Sequence, residues 1–187
     1  RRWIKGPNTV FAIAGDVEPE RCAELVSQRL SGLDADTALP ALPPEDAVTG
    51  EAREIEVRKD RAQAHLVVGF RGLRLDDPDR FALDVLAQLL AGQGGRLFLE
   101  LRDRQSLAYT VSASNVEGLA PGYFSIYIAT APDKMERARQ GIFDEVDRLL
   151  SSPPEESELA RAIRYGTGSF AIDSQRSHAR AAHIALD

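Results

Sequence analysis

Arg102 and Tyr109 lie in the segment Leu101-Arg102-Asp103-Arg104-Gln105-Ser106-Leu107-Ala108-Tyr109. An arginine late in a short helix and a tyrosine early in the next strand converge when the chain reverses between them. Both side chains are hydrogen-bond donors, so the pair suits a peptide carbonyl or the anion that forms on it. The plainer reading, a surface arginine beside a half-buried tyrosine, is the one composition alone favours.

Other residues with chemical potential form weaker patterns. The histidines are His65, His178 and His183. On one helix the last two stand about 140° apart at 3.6 residues per turn. Zinc helices place both histidines on one face, as H-E-x-x-H or H-x-x-E-H does, and neither pattern occurs here. Ordinary surface or core histidines are the better reading. The single cysteine, Cys22, lies among apolar helical positions and reads as core, not nucleophile. It also excludes an intrachain disulfide, and no G-x-S-x-G elbow is present. Gly92-Gln93-Gly94-Gly95 precedes a helix, where free N–H groups can hold phosphate. It follows a helix, however, and lacks the Gly-Lys-Ser/Thr ending of a P-loop, so it reads as a helix-to-helix turn. Asp76, Asp77 and Asp79 read as a helix start with charge matched to the dipole. Arg161, Arg164, Arg176 and Arg180 read as a solvated helix face.

The elements that must position Arg102 and Tyr109 follow from periodicity. Val10-Phe11-Ala12-Ile13-Ala14, ended by Gly15-Asp16, suits a buried strand. A helix opens at Pro19 and shows Cys22, Ala23, Leu25, Val26 and Leu30. Pro40, Pro43 and Pro44 among acidic residues read as an extended connector. Ile55 and Val57 alternate with charges and suggest a strand, and Ala64 to Phe70 a more apolar one. Asp76-Asp77-Pro78 opens a helix with Phe81, Val85, Leu86, Leu89 and Leu90 inward, stopped at Gly92. A shorter helix carries Leu97, Phe98 and Leu101, and strands are predicted over Leu107 to Asn115 and Tyr123 to Thr130. Pro132 starts a helix with Met135, Ala138, Ile142, Val146 and Leu149 inward. Pro153-Pro154 breaks it, and a last long helix runs to the end. Paired strands followed by runs of helices predict an α+β two-layer sandwich, a largely antiparallel sheet covered on one face by helices.

Composition narrows the function. Lys plus Arg is 23 against 29 Asp plus Glu, a formal charge of −6 over 187 residues. Nucleic acid and a polybasic membrane anchor both need the opposite balance. No apolar run reaches the roughly 18 residues of a membrane helix. The chain opens at Arg1 on the approach to a strand and closes at Asp187 inside a helical pattern, as expected of a segment of a longer protein. Its native compartment is not legible from those ends.

The ordered set of motifs resembles the insulinase/pitrilysin family of zinc peptidases, which includes the mitochondrial processing peptidases. It is similar to the C-terminal, non-zinc domain. The set comprises Asp77 and Phe81-Ala82-Leu83, then Leu89-Leu90-Ala91-Gly92, Arg96-Leu97-Phe98-Leu99-Glu100-Leu101-Arg102, Leu107-Ala108-Tyr109 and Gly122-Tyr123-Phe124. Upstream, Asn8-Thr9-Val10 through Gly15-Asp16-Val17 and Pro19-Glu20 resembles the strand, Gly-Asp turn and helix that lead into that domain. The resemblance implies the fold of the processing peptidases over 1–187, divided into a leading strand and helix at 1–32, a connector at 33–52 and a main body at 53–187. It implies that zinc, bound by another domain or subunit through H-x-x-E-H, activates water with a glutamate there as base. Arg102 and Tyr109 would contact a peptide substrate, and this segment would hold neither metal nor base and cleave nothing by itself. The implied partners are a zinc-binding domain of the same or a partner chain, in a dimer. One departure is Gly94-Gly95, where many relatives carry two serines. The alternative is a catalytically inactive member serving as scaffold or partner subunit. A generic α+β ligand-binding domain accounts for less of the motif set.

Overall fold

A computed structural model describes residues 4–33, 50–92 and 94–186. The predicted connector falls mostly outside them. By contacts the chain divides into two compact units, one of Arg1–Pro44 with Gly168–Asp187 and one of Glu45–Thr167.

The second unit is built on three strands, β1 (Ala64–Arg71), β2 (Thr110–Val116) and β3 (Tyr123–Thr130). They form an antiparallel sheet in the order β1-β3-β2, with β3 central. Period-two alternation puts Leu66, Ile128 and Val111 in one row, and Val68, Ile126 and Ala113 in the next, all on one face. That face is covered by α2 (Arg80–Ala91) and α3 (Met135–Ser151). Leu90, Leu97, Leu101, Leu107, Ile126, Ile128 and Ile142 meet there, all but sealed from solvent. Each such side chain contributes roughly 1.5–3 kcal/mol of transfer free energy. The opposite face carries His65, Val67, Ser112, Ser114, Ser125 and Tyr127 and has no helical layer among the described residues. The fold is therefore α+β with helices over one face of an antiparallel sheet, as predicted.

Between α2 and β2 lies a π-helix, Phe98–Arg104, and α4 (Glu156–Asp173) follows α3. The first unit contains α1 (Pro19–Leu30) and α5 (Ser177–Leu186), and it has no paired strand among its described residues. The predicted long last helix is two helices. Ser174, Gln175 and Arg176 leave the α-helix through short-range turns, and the turn-forming Asp173-Ser174 pair competes locally with helix.

Two predicted strands do not form. Val10–Ala14 and the stretch around Ile55 and Val57 have no strand pairing among the described residues. Strand composition reports what fits a pleated, half-buried surface and cannot form a ladder without a neighbouring strand. Val10, Phe11, Ile13, Ile55 and Val57 all remain exposed.

Candidate functional site

The reversal between Arg102 and Tyr109 is pinned by one carbonyl. Leu101 C=O accepts the N–H of Leu107 at 2.7 Å and of Ala108 at 3.2 Å. Leu101 and Leu107 are both core residues, so hydrophobic burial and the hydrogen-bonded clasp act on the same two positions. Arg102 follows one side of the clasp directly and Tyr109 the other. The Tyr109 N–H donates to Ala129 C=O at 2.8 Å, placing the tyrosine on the line of β2 one residue before its first ladder position.

The turn itself is held from three directions. Ser106 has φ +51°, a left-handed conformation uncommon for a residue with a Cβ. Lys134 Nζ donates to the Ser106 carbonyl at 3.0 Å. The hydroxyl of Thr130, fully buried, donates to the Leu107 carbonyl. A small cavity of about 60 Å³ lies beside Tyr109, lined also by Ser106, Ala108, Ala131 and Lys134.

On the other arm, the π-helix widens to an i→i−5 bond, with Gln105 N–H on Glu100 C=O at 3.0 Å. Such turns are rare and concentrate at functional sites. Glu100 closes its end by accepting from Gln105 Nε2 and Arg104 Nη1, each at 2.9 Å. These bonds hold its carboxyl below the usual carboxylate range. Arg96 is bound to Glu158 of α4 through two bonds of 2.7 and 2.8 Å, with side chains 19% and 14% exposed. Arg161 Nη2 donates to Gly94 C=O at 2.9 Å, where Gly94 turns at φ +80°.

The arginines of this region thus divide. Arg96, Arg104, Arg148 and Arg161 are each bonded to protein acceptors. Arg102 is exposed, has no carboxylate partner among the described residues, and rests its guanidinium 4.6 Å above the Phe98 ring. Tyr109 is 60% exposed. Both donors therefore face a medium that can be replaced by ligand.

The remaining sequence candidates separate from this site and from one another. His65 Nδ1 bonds the Tyr127 hydroxyl at 2.8 Å on the open sheet face, and His183 stacks on Phe170 at 4.8 Å within the first unit. His178 is exposed. Among the described residues no group of three or more His, Cys, Asp and Glu converges as a metal site. Cys22 is half-buried. Asp76 pairs with Arg74, and Asp77 Oδ1 accepts the Asp79 N–H at 2.9 Å ahead of α2. Arg161, Arg164, Arg176 and Arg180 are all exposed, as expected of a solvated face, and within it Arg161 holds the Gly94 turn and Arg176 pairs with Asp173. Glu158, Thr130 and Lys134 escaped sequence reading because their partners lie 62, 23 and 28 positions away, beyond any local periodicity.

A sequence profile described as "Peptidase M16 inactive domain" matches residues 1–165. The chain belongs to this family. A protein of Streptomyces coelicolor named an uncharacterized zinc protease is 30% identical over 179 residues, covering 92% of this chain and 39% of its own length. A solved M16 inactive domain of Pseudomonas fluorescens superposes with TM-score 0.72 at 27% identity, covering 83% of this chain and 38% of that one. A protease structure from Helicobacter pylori shares the fold with TM-score 0.82 at 22% identity, over 92% of this chain and 43% of that one. The M16 segment described here spans about two fifths of the curated relatives it matches, 39% and 37% for the first two.

Proposed function

We propose that this M16 domain is the substrate-contacting half of a zinc-dependent metalloendopeptidase of insulinase/pitrilysin type. It does not cleave peptide on its own. The observation that carries this reading is the double acceptor at Leu101, which fixes the backbones that bear two exposed donors, Arg102 and Tyr109, whose side chains have no hydrogen-bond acceptor among the described residues. β2 pairs only with β3 among the described residues, so its outer side offers ladder groups to an extended peptide. A peptide added there runs beside Tyr109, at the head of the same strand. The guanidinium and the phenol then donate to a peptide carbonyl and to the negative charge that grows on it during hydrolysis.

The relatives' names support zinc in the whole enzyme, held by another domain of this chain or of a second subunit in a dimer. Bound there, zinc supplies an activated water and polarises the scissile carbonyl. The residues of this segment bind and orient the peptide.

The test uses the full-length protein with Arg102→Ala and Tyr109→Phe. Loss of one donor to a developing oxyanion lowers kcat by about 100-fold, roughly 3 kcal/mol, with zinc content by metal analysis unchanged. Full turnover in both variants overturns the assignment.

A further inference from the structure

Residues 4–33 include no buried residue. Within them, Val10, Phe11 and Ile13 are 73%, 54% and 48% exposed, in a stretch without sheet pairing among the described residues. In an extended chain Val10, Ala12 and Ala14 point one way and Phe11 and Ile13 the other. Apolar residues on both faces belong to an interior strand, one with a neighbour on each side and a layer above and below. The following Gly15-Asp16 turn leads within a few residues to α1, whose stripe of Cys22, Val26 and Leu30 is only half covered. A strand followed at once by an amphipathic helix is half of a packed layer pair.

We infer that residues 9–30 fold as an interior strand and covering helix of the zinc-binding domain, and not as part of the body that carries Arg102 and Tyr109. The inference rests on the reading above for the identity of that domain. Three observations support this occupant. The contacts of the chain already set Arg1–Pro44, together with Gly168–Asp187, apart from Glu45–Thr167. The matched relatives run to more than twice this chain's length, which leaves room for a domain with its own sheet. The exposed residues are apolar and uncharged, fit for a protein interior. The profile matching residues 1–165 as one inactive domain then spans two structural bodies, with a border inside it.

Native-state hydrogen exchange on the full-length protein tests this. The amides of Val10–Ala14 are expected to exchange at least about 100-fold more slowly than in the chain Arg1–Asp187 alone. With added denaturant they open together with the zinc-binding domain and before or after, but not with, β1 and β3. Phe11→Asp and Ile13→Asp lower the melting midpoint of the zinc-binding domain and leave exchange in β1 and β3 unchanged. Fast exchange at Val10–Ala14 in the full-length protein overturns the inference. So does equal protection in the chain alone, which means pairing within the chain or with a second copy, and so does opening in step with β1 and β3. Activity is not read. A full-length protein that binds no zinc would sink the peptidase reading, while the exchange pattern would still assign the strand to one body or the other.

Discussion

Leu101 joins the core to the site through its two ends: the side chain lies in the central cluster and the carbonyl holds the reversal. Its neighbour across the interface is Gly141 of α3, where an added Cβ would overlap Leu101 Cδ2. Glycine there is required by close approach, since the helix backbone itself tolerates alanine better. Gly141→Ala is therefore expected to destabilise the domain by about 1–3 kcal/mol, the usual cost of overpacking a full core. Denaturant unfolding measures it. Because the displaced side chain belongs to the residue that clasps Leu107 and Ala108, the same variant should also reduce peptide turnover in the full-length protein. Gly166→Ala, with only the Gln88 Cγ nearby at an ordinary contact distance of 3.7 Å, is the control expected to do neither.

At the level of elements, two glutamates respond to pH in opposite senses. Hydrogen bonding from Arg96 holds the Glu158 carboxyl below its ordinary value. A depressed folded pKa contributes stability that is present above the unfolded value and lost as pH falls through the folded one. Burial pushes the Glu145 carboxyl up, against the pull of Arg148. Its contribution is present at low pH and lost as pH rises through the raised value. Glu158→Gln is expected to melt below wild type at pH 7, with the gap closing below about pH 4. Glu145→Gln, which keeps an acceptor for Arg148, should melt above wild type at pH 7 and converge on acidification. Melting curves from pH 3 to 8 check both.

The same scale shows what the sequence made legible. β1, β3, α2 and α3 could be read because their apolar periods coincide with faces that this chain itself covers, as Ile126 and Ile142 illustrate. Val10–Ala14 could be read as apolar but not placed, since its pairing partner is no property of its own residues. The π-helix gave no signal at all: Leu97 and Leu101 suit an α-helix equally well. Arg102 and Tyr109 could be read as a donor pair from their places on either side of a reversal, but as substrate contacts only through the resemblance. What set Arg102 apart from Arg96, Arg104 and Arg161 was which carboxylates and carbonyls the fold delivers to each: Arg96 and Arg161 meet partners 62 and 67 positions away, and Arg104 meets Glu100 of the same helix.

For the molecule as a whole, the described residues offer no cluster of metal ligands. Prolonged dialysis of Arg1–Asp187 against a chelator is therefore expected to leave its melting temperature unchanged, as scanning calorimetry would record. A drop of several degrees would mean that this segment holds a structural ion. The widened coil at Phe98–Arg104 carries a further consequence, for how such a chain tolerates changes of length. In a regular helix each residue advances the chain by about 100°. The wide turn holds one residue more than an ordinary helical turn, so the number of residues between Gly95 and Ser106, as much as their identity, sets the side of the coil from which Arg102 leaves the core.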